Sequence, residues 1–525
     1  MIHKYILQMV VVLLVCTSCY RSKESKKEKP NIIFLLSDDQ RDNTFGAMGH
    51  SVLQTPNVDK LIEQGVRFSN TYIAEPVCAQ SRISIFTGMH ERLHGVGFTS
   101  SYDLTEEQWE NSYPELLRKN GYYTGFIGKI GIEYYEFKGR VKEKFDFWKG
   151  HDGWAKFWPK TVEHCFEYFK ANEQIITPIM GESIGEFIES VPKDKPFSLS
   201  VSFSVPHGSQ VKSMYPNNKA AAKCAIAANE YDPLKGLEFY DTLYRNVEIK
   251  IPDETATDPY VNIPKNILDQ SKGRATGTYI YDYDTAWCRE HHVRYYQMIS
   301  AMDRVIGDMM TSLEEKGLSE NTIIIFASDH GLLMGEHGMG GKALLYDMAS
   351  KIPFFIYDPR LPDSKKGLTK NELVSSLDIT STILDYAGIE PTVEMQGKSL
   401  LPIMNTESVE WREELFLESL FTGRDNPFCE GIRKGDWKYI RMYKGGIWGY
   451  TEENLNFKDR KPAFEQLFNV KDDPGERNNL INSYEETKLL SDLRTKTATL
   501  SAEMNRNRQE YKKRHTILAR KIKNN

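Results

Sequence analysis

The sequence predicts an α/β fold in which a mostly parallel central sheet is sandwiched by helices. Continuous apolar runs of strand length recur along the chain, which suits strands buried on both faces. Segments with helical periodicity lie between these runs, and such alternation is typical of α/β proteins. The four predicted strands are Asn31–Ser37, Pro196–Phe203, Thr322–Ala327 and Pro353–Tyr357.

The clearest predicted helix runs from His291 to Gly317. Its apolar residues recur at helical spacing, and we interpret its methionines as core residues. Gly317 ends the pattern, as glycine often does at a helix C-terminus.

The pattern changes after residue 405. Short strands are predicted within Glu430–Tyr443 and at Glu465–Val470, and the tail after Thr487 is helical in pattern. These features indicate a smaller C-terminal α+β subdomain built on an antiparallel sheet. We therefore predict a large domain at 30–405 and a C-terminal subdomain with a helical tail at 406–525.

Residues 1–29 are typical of an export signal followed by a linker. Lys4 precedes the apolar run Met9–Val15, which is too short to span a bilayer comfortably. The small residues before Cys19 resemble a bacterial lipoprotein signal, in which Cys19 would become the lipid anchor. Simple secretion is the alternative, because Cys16 stands where such signals usually have leucine. We expect a protein of the periplasm, the outer membrane or the cell surface of a bacterium.

Composition excludes some classes of protein. The chain has 525 residues and a net charge of −6, and it lacks the basic footprint of a nucleic-acid binder. Five cysteines follow the signal, and an odd number in an exported protein leaves at least one unpaired or modified. No CxxC pair occurs among them, which argues against a zinc–thiolate site. These cysteines are Cys78, Cys165, Cys224, Cys288 and Cys429.

Polar residues follow three of the predicted strands. In open α/β sheets, ligands bind outside the carboxyl ends of the strands. Carboxylates suit a hard cation such as Ca²⁺. A single such turn is most often only a turn or a helix cap, but together they predict a metal site. The turns are Asp38-Asp39, Val205-Pro206-His207 and Ser328-Asp329-His330-Gly331, with Asp38, Asp39 and Asp329 as ligands and His330 adjacent.

The segment Pro76–Gly88 contains a candidate nucleophile. If the segment is helical, Cys78 lies at its N-terminus and Arg82 faces the same way one turn later. The helix dipole at that end favours an anion and lowers the pKa of a thiol. Cys78 would then serve as a nucleophile or as an acceptor for an oxyanion substrate. A buried free cysteine in a core helix is an equally good interpretation of these residues alone.

The spacing of this segment resembles a known signature. Cys78-x-x-Ser81-Arg82, followed by four residues and Thr87-Gly88, is similar to the signature of the type I, formylglycine-dependent sulfatases of the alkaline-phosphatase-like superfamily. Most of residues 30–480 contributes to the resemblance. The further matching segments are Asn31–Asp39, Thr55–Leu61, Gly65–Phe68, Gly121–Lys129, Ser328–Gly331, Gly341-Lys342 and Leu467–Leu480.

The resemblance implies an alkaline-phosphatase-like fold and a set of site residues. A maturase would oxidise Cys78 to formylglycine, whose hydrated aldehyde attacks sulfur, and Arg82 would hold it. His94 falls in the family's pattern near the formylglycine. One Ca²⁺ or Mg²⁺ per subunit would be bound by Asp38, Asp39, Cys78, Asp329 and His330. The sulfate oxygens or the leaving oxygen would be served by Lys129, His207 and Lys342, with His207 as the candidate general acid.

Two positions depart from the family pattern. Gln80 stands where the signature has Pro or Ala, and Gly131 stands where a second signature has His. The residue expected to help release sulfate is therefore missing or supplied from elsewhere.

The sequence favours an exported sulfatase that acts on sulfate esters or N-sulfates of a sulfated carbohydrate, such as a glycosaminoglycan or an algal polysaccharide. Gln80 favours an alternative, a phosphate or phosphonate ester hydrolase of the same superfamily. Gln80 and Gly131 together favour a second, a non-catalytic glycan-binding lipoprotein. We expect specificity residues in 95–110, 150–165, 208–285 and 440–460, with Trp154, Trp158 and Trp287 as candidates for stacking on sugar or, alternatively, as core residues.

Overall fold

The computed structural model describes most of the chain. The described residues are 29–132, 141–151, 157, 175–208, 238–269, 285–405, 409–423, 426–445, 450–457, 460–516 and 518–519. None of the helices in these ranges has the length and hydrophobicity that a membrane span requires. The predicted export signal and lipid anchor lie outside them, as do Cys165, Cys224, Trp154 and Trp158, and the Trp287 side chain is not described.

An eight-stranded sheet forms the centre of the molecule, with the order β11-β2-β10-β7-β1-β6-β4-β5. All its strands run parallel except β10, which is antiparallel to both neighbours. The strands of the described residues are β1 (Asn31–Ser37), β2 (Val66–Tyr72), β3 (Tyr102–Asp103), β4 (Tyr123–Lys129), β5 (Phe147–His151), β6 (Phe197–Ser202), β7 (Thr322–Ser328), β8 (Leu333–Met334), β9 (Gly340–Gly341), β10 (Phe355–Tyr357), β11 (Leu368–Ser375), β12 (Glu414–Ser419), β13 (Phe428–Lys434), β14 (Trp437–Tyr443), β15 (Phe464–Asn469) and β16 (Leu518–Ala519).

Helices cover both faces of this sheet. Along β1, Ile33 and Leu35 join a core that contains α1, α6 and α8, whereas Ile32, Phe34 and Leu36 join a core on the opposite face. This alternation explains why β1 is apolar throughout. Within the part of the chain that the structure describes, the α-helices are α1 (Pro56–Gln64), α2 (Cys78–Thr87), α3 (Glu91–His94), α4 (Glu106–Glu110), α5 (Tyr113–Lys119), α6 (Ile176–Ser190), α7 (Glu238–Thr242), α8 (Thr285–Glu315), α9 (Asp347–Ser350), α10 (Asp378–Ala387), α11 (Leu401–Asn405) and α12 (Lys488–Arg514).

The predicted α/β class is confirmed, and the main predicted elements are present. The four predicted strands correspond to β1, β6, β7 and β10. The long helix α8 begins at Thr285, earlier than the predicted His291, and Gly317 after it has the left-handed φ of 67°. Strands β2, β4, β5 and β11 were not predicted.

The second sheet is an antiparallel meander, β12-β13-β14-β15, as predicted for the C-terminal part. One face packs on the large sheet, where Ile440 and Phe468 share a core with Tyr72. Helix α12 covers the other face through Leu490 and Leu493. The boundary at 405 and 406 stays a prediction; β12 begins at Glu414.

Buried charges also join the two sheets. Arg92 in α3 donates to Glu418 of β12 at 3.0 Å and to Glu430 of β13 at 2.6 Å. It also donates to the Ser501 hydroxyl of α12 at 3.0 Å, and Arg441 of β14 donates to Glu430. These groups, called here the Arg92 network, connect the N-terminal part of the chain with the C-terminal sheet and tail.

Candidate active site

The site forms where β1 and β7 end side by side. Their parallel register pairs Ser37 with Ser328, so the residues that follow each strand lie next to each other. The backbone N–H of Asp39 donates to Asp329 Oδ1 at 3.0 Å, and Asp39 has a left-handed φ of 66°. Asp38, Asp39 and Asp329 are all buried. The structure therefore brings together the three carboxylates that the sequence predicted as ligands.

Cys78 begins helix α2 beside these carboxylates and is only 3% exposed. Asp38, Cys78, Asp329 and His330 each offer one ligand atom, and these atoms lie within 4.8 Å of one another. A second, overlapping group consists of Asp38, Asp39 and His207. The two groups define the cluster at the strand ends.

The donor atoms of this cluster fit a hard divalent cation. Three carboxylates dominate the set, and oxygen is the ligand that Ca²⁺ and Mg²⁺ prefer. Asp38 Oδ1 is buried and accepts no hydrogen bond, as expected for an oxygen that faces a cation. The Nδ1 of His330 lies 2.8 Å from the Gly331 carbonyl, to which it must donate, so the electron pair of Nε2 faces the cluster, where Lys342 Nζ lies 3.1 Å away.

Three basic side chains surround the carboxylates. Lys129 Nζ donates to Asp38 at 2.6 Å, and Lys342 Nζ donates to Asp39 at 2.7 Å and lies 3.3 Å from Cys78 Sγ. Arg82 Nε donates to Asp329 at 2.9 Å. The three cations balance the three carboxylates, so a bound divalent ion would make the site positive and attractive to an anion.

These charges perturb the titration of the site. Burial alone would raise the pKa of the Cys78 thiol, but the charges of Lys129 and Lys342 hold that pKa well below its usual value. Burial would likewise raise the pKa of Asp39, but the nearby His207 and Lys342 lower it to about 2. The pocket therefore stabilises negative charge at residue 78.

His207 lies close to the carboxylates as well. It follows the cis peptide Val205-Pro206 after β6, and its Nε2 is 3.6 Å from Asp39 Oδ2. It also hydrogen-bonds the Cys78 sulfur. The structure thus gathers nine of the ten predicted site residues at one edge of the sheet.

His94 is the exception: the structure does not show it among the clustered groups, and its catalytic role stays a prediction. Its Nδ1 accepts a hydrogen bond from the N–H of Val96 at 3.0 Å, and its Nε2 bonds the Ser84 hydroxyl at 3.1 Å. Burial and the charge of Arg508 hold the pKa of His94 well below its usual value. Both ring nitrogens of His94 are thus engaged with Ser84 and Val96, which do not belong to the cluster.

The two departures from the signature have different surroundings. Gln80 is buried and points away from Cys78, toward Gly97 and Glu91, and neither atom of its amide has a hydrogen-bond partner. Gly131 has a left-handed φ of 60°, and a Cβ there would lie 2.9 Å from Arg82 Cδ. A histidine at position 131 would be strained and crowded in this backbone.

Residues that sequence reasoning missed also line the site. Tyr295 of α8 donates its hydroxyl hydrogen to the Asp39 carbonyl at 2.8 Å, and Ser81 donates to the Asp329 carbonyl at 2.5 Å. His151 ends β5 directly beside Lys129 in the strand register. A histidine that closes a strand is the signal that could have found it, had β5 been recognised.

Comparison with known proteins identifies the family. The Sulfatase family model matches residues 30–389, and the model described as N-sulphoglucosamine sulphohydrolase, C-terminal, matches residues 335–503.

Two curated relatives resemble nearly the whole chain. An arylsulfatase of Clostridium perfringens is 28% identical, covering 87% of this chain and 91% of the relative. An N-acetylglucosamine-6-O-sulfatase of Bacteroides thetaiotaomicron is 26% identical, covering 91% and 87%. A solved structure of a protein with its substrate D-glucosamine-2-N,6-O-disulfate has the same fold, with a TM-score of 0.65, 22% identity, and coverage of 92% of this chain and 99% of that one. The chain belongs to the sulfatase family and is a sulfuric ester hydrolase.

Proposed function

We propose that this protein is an exported sulfatase that removes sulfate from a sulfated carbohydrate, using formylglycine made from Cys78 and one Ca²⁺ or Mg²⁺. The observation that carries the proposal is the buried cluster in which Cys78, three carboxylates and three basic side chains meet at the strand ends. Such a cluster neutralises the charge of a sulfate ester and presents it to residue 78.

Each group has a distinct task in this proposal. The formylglycine hydrate would supply the oxygen that attacks sulfur, and the cation would draw charge from it. Lys129 and Lys342 hold the sulfate oxygens, because their ammonium groups lie on either side of the carboxylates that face residue 78. Arg82 is buried and fixed by Asp329 and by the carbonyl of Lys129, so it keeps its orientation while charge develops nearby.

The substrate class is proposed from the relatives. One relative is named for the 6-O-sulfate of N-acetylglucosamine, and another is an ulvan-active sulfatase of Formosa agariphila, 26% identical over 88% of this chain. We propose sulfate esters or N-sulfates of a glycosaminoglycan or an algal polysaccharide. The export signal and the candidate lipid anchor at Cys19 support action in the periplasm or at the bacterial surface.

The test begins at Cys78. Protein made beside a compatible maturase is digested, and the peptide that carries residue 78 is weighed; we expect formylglycine there. The same preparation should release sulfate from 4-nitrophenyl sulfate and from sulfated oligosaccharides, and Lys342→Ala should lower kcat/KM by roughly 10²-fold or more, as for loss of a positioned charge. An intact cysteine in protein that still releases sulfate would contradict the proposed nucleophile.

Gln80 supports one alternative, a phosphate or phosphonate ester hydrolase that uses an unmodified Cys78 or a metal-bound nucleophile. The lowered pKa of the Cys78 thiol is compatible with such a role. Intact Cys78 together with turnover of bis(4-nitrophenyl) phosphate, but not of 4-nitrophenyl sulfate, would favour this alternative.

A further inference from the structure

The sequence predicted His207 as the general acid, but His207 lies among the predicted metal ligands, with Nε2 3.6 Å from Asp39 Oδ2, and Gly131 has no side chain that could donate a proton. When a sulfate ester breaks, the departing oxygen needs a proton unless its alcohol is already acidic. The left-handed φ of 60° and the nearby Arg82 and Lys129 side chains prevent position 131 from carrying that donor. A donor must come from another element at the same edge of the sheet.

The strand register places His151 beside Lys129, at the edge of the sheet where Gly131 also lies. Lys129 of β4 pairs with His151 of β5, and the N–H of Ile130 donates to the His151 carbonyl at 3.0 Å. Directly paired residues of neighbouring strands point to the same face. Because the Lys129 ammonium lies in the cluster, His151 leaves its strand on the side of the cluster too.

A second contact fixes the direction of the imidazole. His151 Nε2 lies 3.2 Å from the hydroxyl of Ser204, which follows β6. Strand β4 lies between β5 and β6, so the ring must reach across the carboxyl end of β4 to make this contact. This contact puts the ring at the carboxyl end of β4, the strand that leads into the Gly131 turn, and His151 is only 4% exposed.

The other described histidines of the cluster face the nucleophile. His207 hydrogen-bonds the Cys78 sulfur and lies 3.6 Å from Asp39. His330 Nε2 lies 3.3 Å from Asp39 Oδ1 and 3.1 Å from Lys342 Nζ. His151 is the histidine that the strand register places directly beside Lys129.

We propose that His151 protonates the departing oxygen and that Ser204 positions its ring. The proposal rests on the proposed sulfatase function. As the bond from sulfur to the ester oxygen breaks, its electron pair moves onto that oxygen, which takes the proton of the imidazolium and leaves His151 neutral. The new bond joins sulfur to the attacking oxygen of residue 78, whose hydroxyl proton passes to solvent water, and a proton from solvent then restores the imidazolium.

The experiment compares leaving groups of different acidity. 4-Nitrophenyl sulfate releases an acidic phenol that needs little protonation, whereas phenyl sulfate releases a weaker acid of nearly the same shape. We expect His151→Gln to lower kcat on phenyl sulfate by about 10²-fold to 10⁴-fold and to lower it far less on 4-nitrophenyl sulfate. Ser204→Ala should show the same selectivity to a smaller degree, and His207→Gln should lower both rates equally.

A matched control removes a buried histidine outside the site. His292 lies on α8 with Nδ1 2.8 Å from the Cys288 carbonyl, and burial lowers its pKa to about 4, so it is neutral as glutamine is. His292→Gln should keep the wild-type ratio of the two rates. Thermal unfolding of each variant separates a loss of fold from a loss of proton transfer.

Calorimetry with inorganic sulfate gives a readout without turnover. His151→Gln should weaken sulfate binding about tenfold, the effect of losing one hydrogen bond to a charged group. An unchanged affinity, or equal losses on both esters while the wild type is active, would overturn the role of His151 alone. A wild type with formylglycine that hydrolyses neither ester would overturn the proposed function and the role of His151 with it.

Discussion

At the scale of the residue, Glu91 is a buried carboxyl group with an unusual environment. It lies at the start of α3, accepts a hydrogen bond from the Tyr450 hydroxyl, and is close to Gln80 and Gly97. Burial, joined by the charge of Glu418, raises its pKa from 4.5 to about 8. The folded protein therefore holds a proton here that the unfolded chain releases at lower pH.

This shift predicts how stability depends on pH. Because the folded pKa is the higher one, the contribution of Glu91 is fully present below pH 4.5 and is lost as the pH rises toward about 8. Each retained proton changes the free energy of unfolding by at most about 1.4 kcal/mol per pH unit. Glu91→Gln, which cannot ionise, should flatten the fall of Tm between pH 5 and pH 8.

The control for this prediction is Glu486→Gln, at an exposed position, whose Tm should depend on pH as the wild-type Tm does. If the Glu91→Gln and wild-type curves stay parallel across that range, then Glu91 is ionised in the folded protein, and the argument from burial is wrong.

At the scale of the element, the Arg92 network joins α3, β12, β13 and α12. Arg92→Met keeps the volume of the side chain but leaves the buried Glu418 without its guanidinium partner. Removing one partner of a buried ion pair costs about 3–5 kcal/mol. We expect a large drop in the denaturant midpoint of unfolding.

An exposed ion pair on the same tail helix gives the comparison. Lys488 pairs with Asp492 one turn along α12, with the Lys488 side chain 86% exposed. Lys488→Met should change the free energy of unfolding by no more than about 0.5 kcal/mol. Equal effects of the two substitutions would show that the Arg92 network does not hold the sheets together. A triple variant with Glu418→Gln and Glu430→Gln should recover part of the loss.

The elements also show what sequence patterns reveal. Strand β1 was predicted with its observed bounds because both its faces are covered and every residue is buried. Strand β2 was missed because Arg67, Ser69 and Asn70 are partly exposed and interrupt the apolar pattern. Strand β5 was missed because it is an edge strand that contains Lys149 and Gly150.

The site residues also divide into those that sequence patterns predict and those that they miss. Asp38, Asp39 and Asp329 were predicted to meet because their strands are recognisable and parallel strands end at a common edge. His151 required the pairing of β4 with β5, which no periodicity reveals. Motif spacing gives nearness along the chain and not the direction of a ring, so it could not predict that the His94 ring turns toward Ser84 and Val96.

At the scale of the whole molecule, cation binding should be measurable as added stability. A ligand that binds only the folded state stabilises it by about 2.7 kcal/mol at one hundred times its Kd. We expect Ca²⁺ to raise the Tm of chelator-treated protein. Chelation should abolish sulfate release yet leave the chain folded, because Arg82, Lys129 and Lys342 offset the carboxylates.

Two isosteric variants make this prediction specific. Asp329→Asn should lose the rise in Tm with Ca²⁺, since Asp329 belongs to the cluster. Asp303→Asn should keep it, because Asp303 is a buried aspartate that accepts hydrogen bonds from Asn57 and Val58 at the start of α1. If Ca²⁺ raised the Tm of both variants equally, the cation would bind outside the cluster.

The hydrogen bond between Asp39 and Lys342 spans 303 positions of the chain. Contacts between such distant segments form late in folding, because a long loop must close before they contribute. No fragment that ends before β9 contains the complete pocket. Recovery of activity after denaturation should therefore lag behind recovery of helix content. The rate at which sulfate release returns would then report the rate of the last stage of folding.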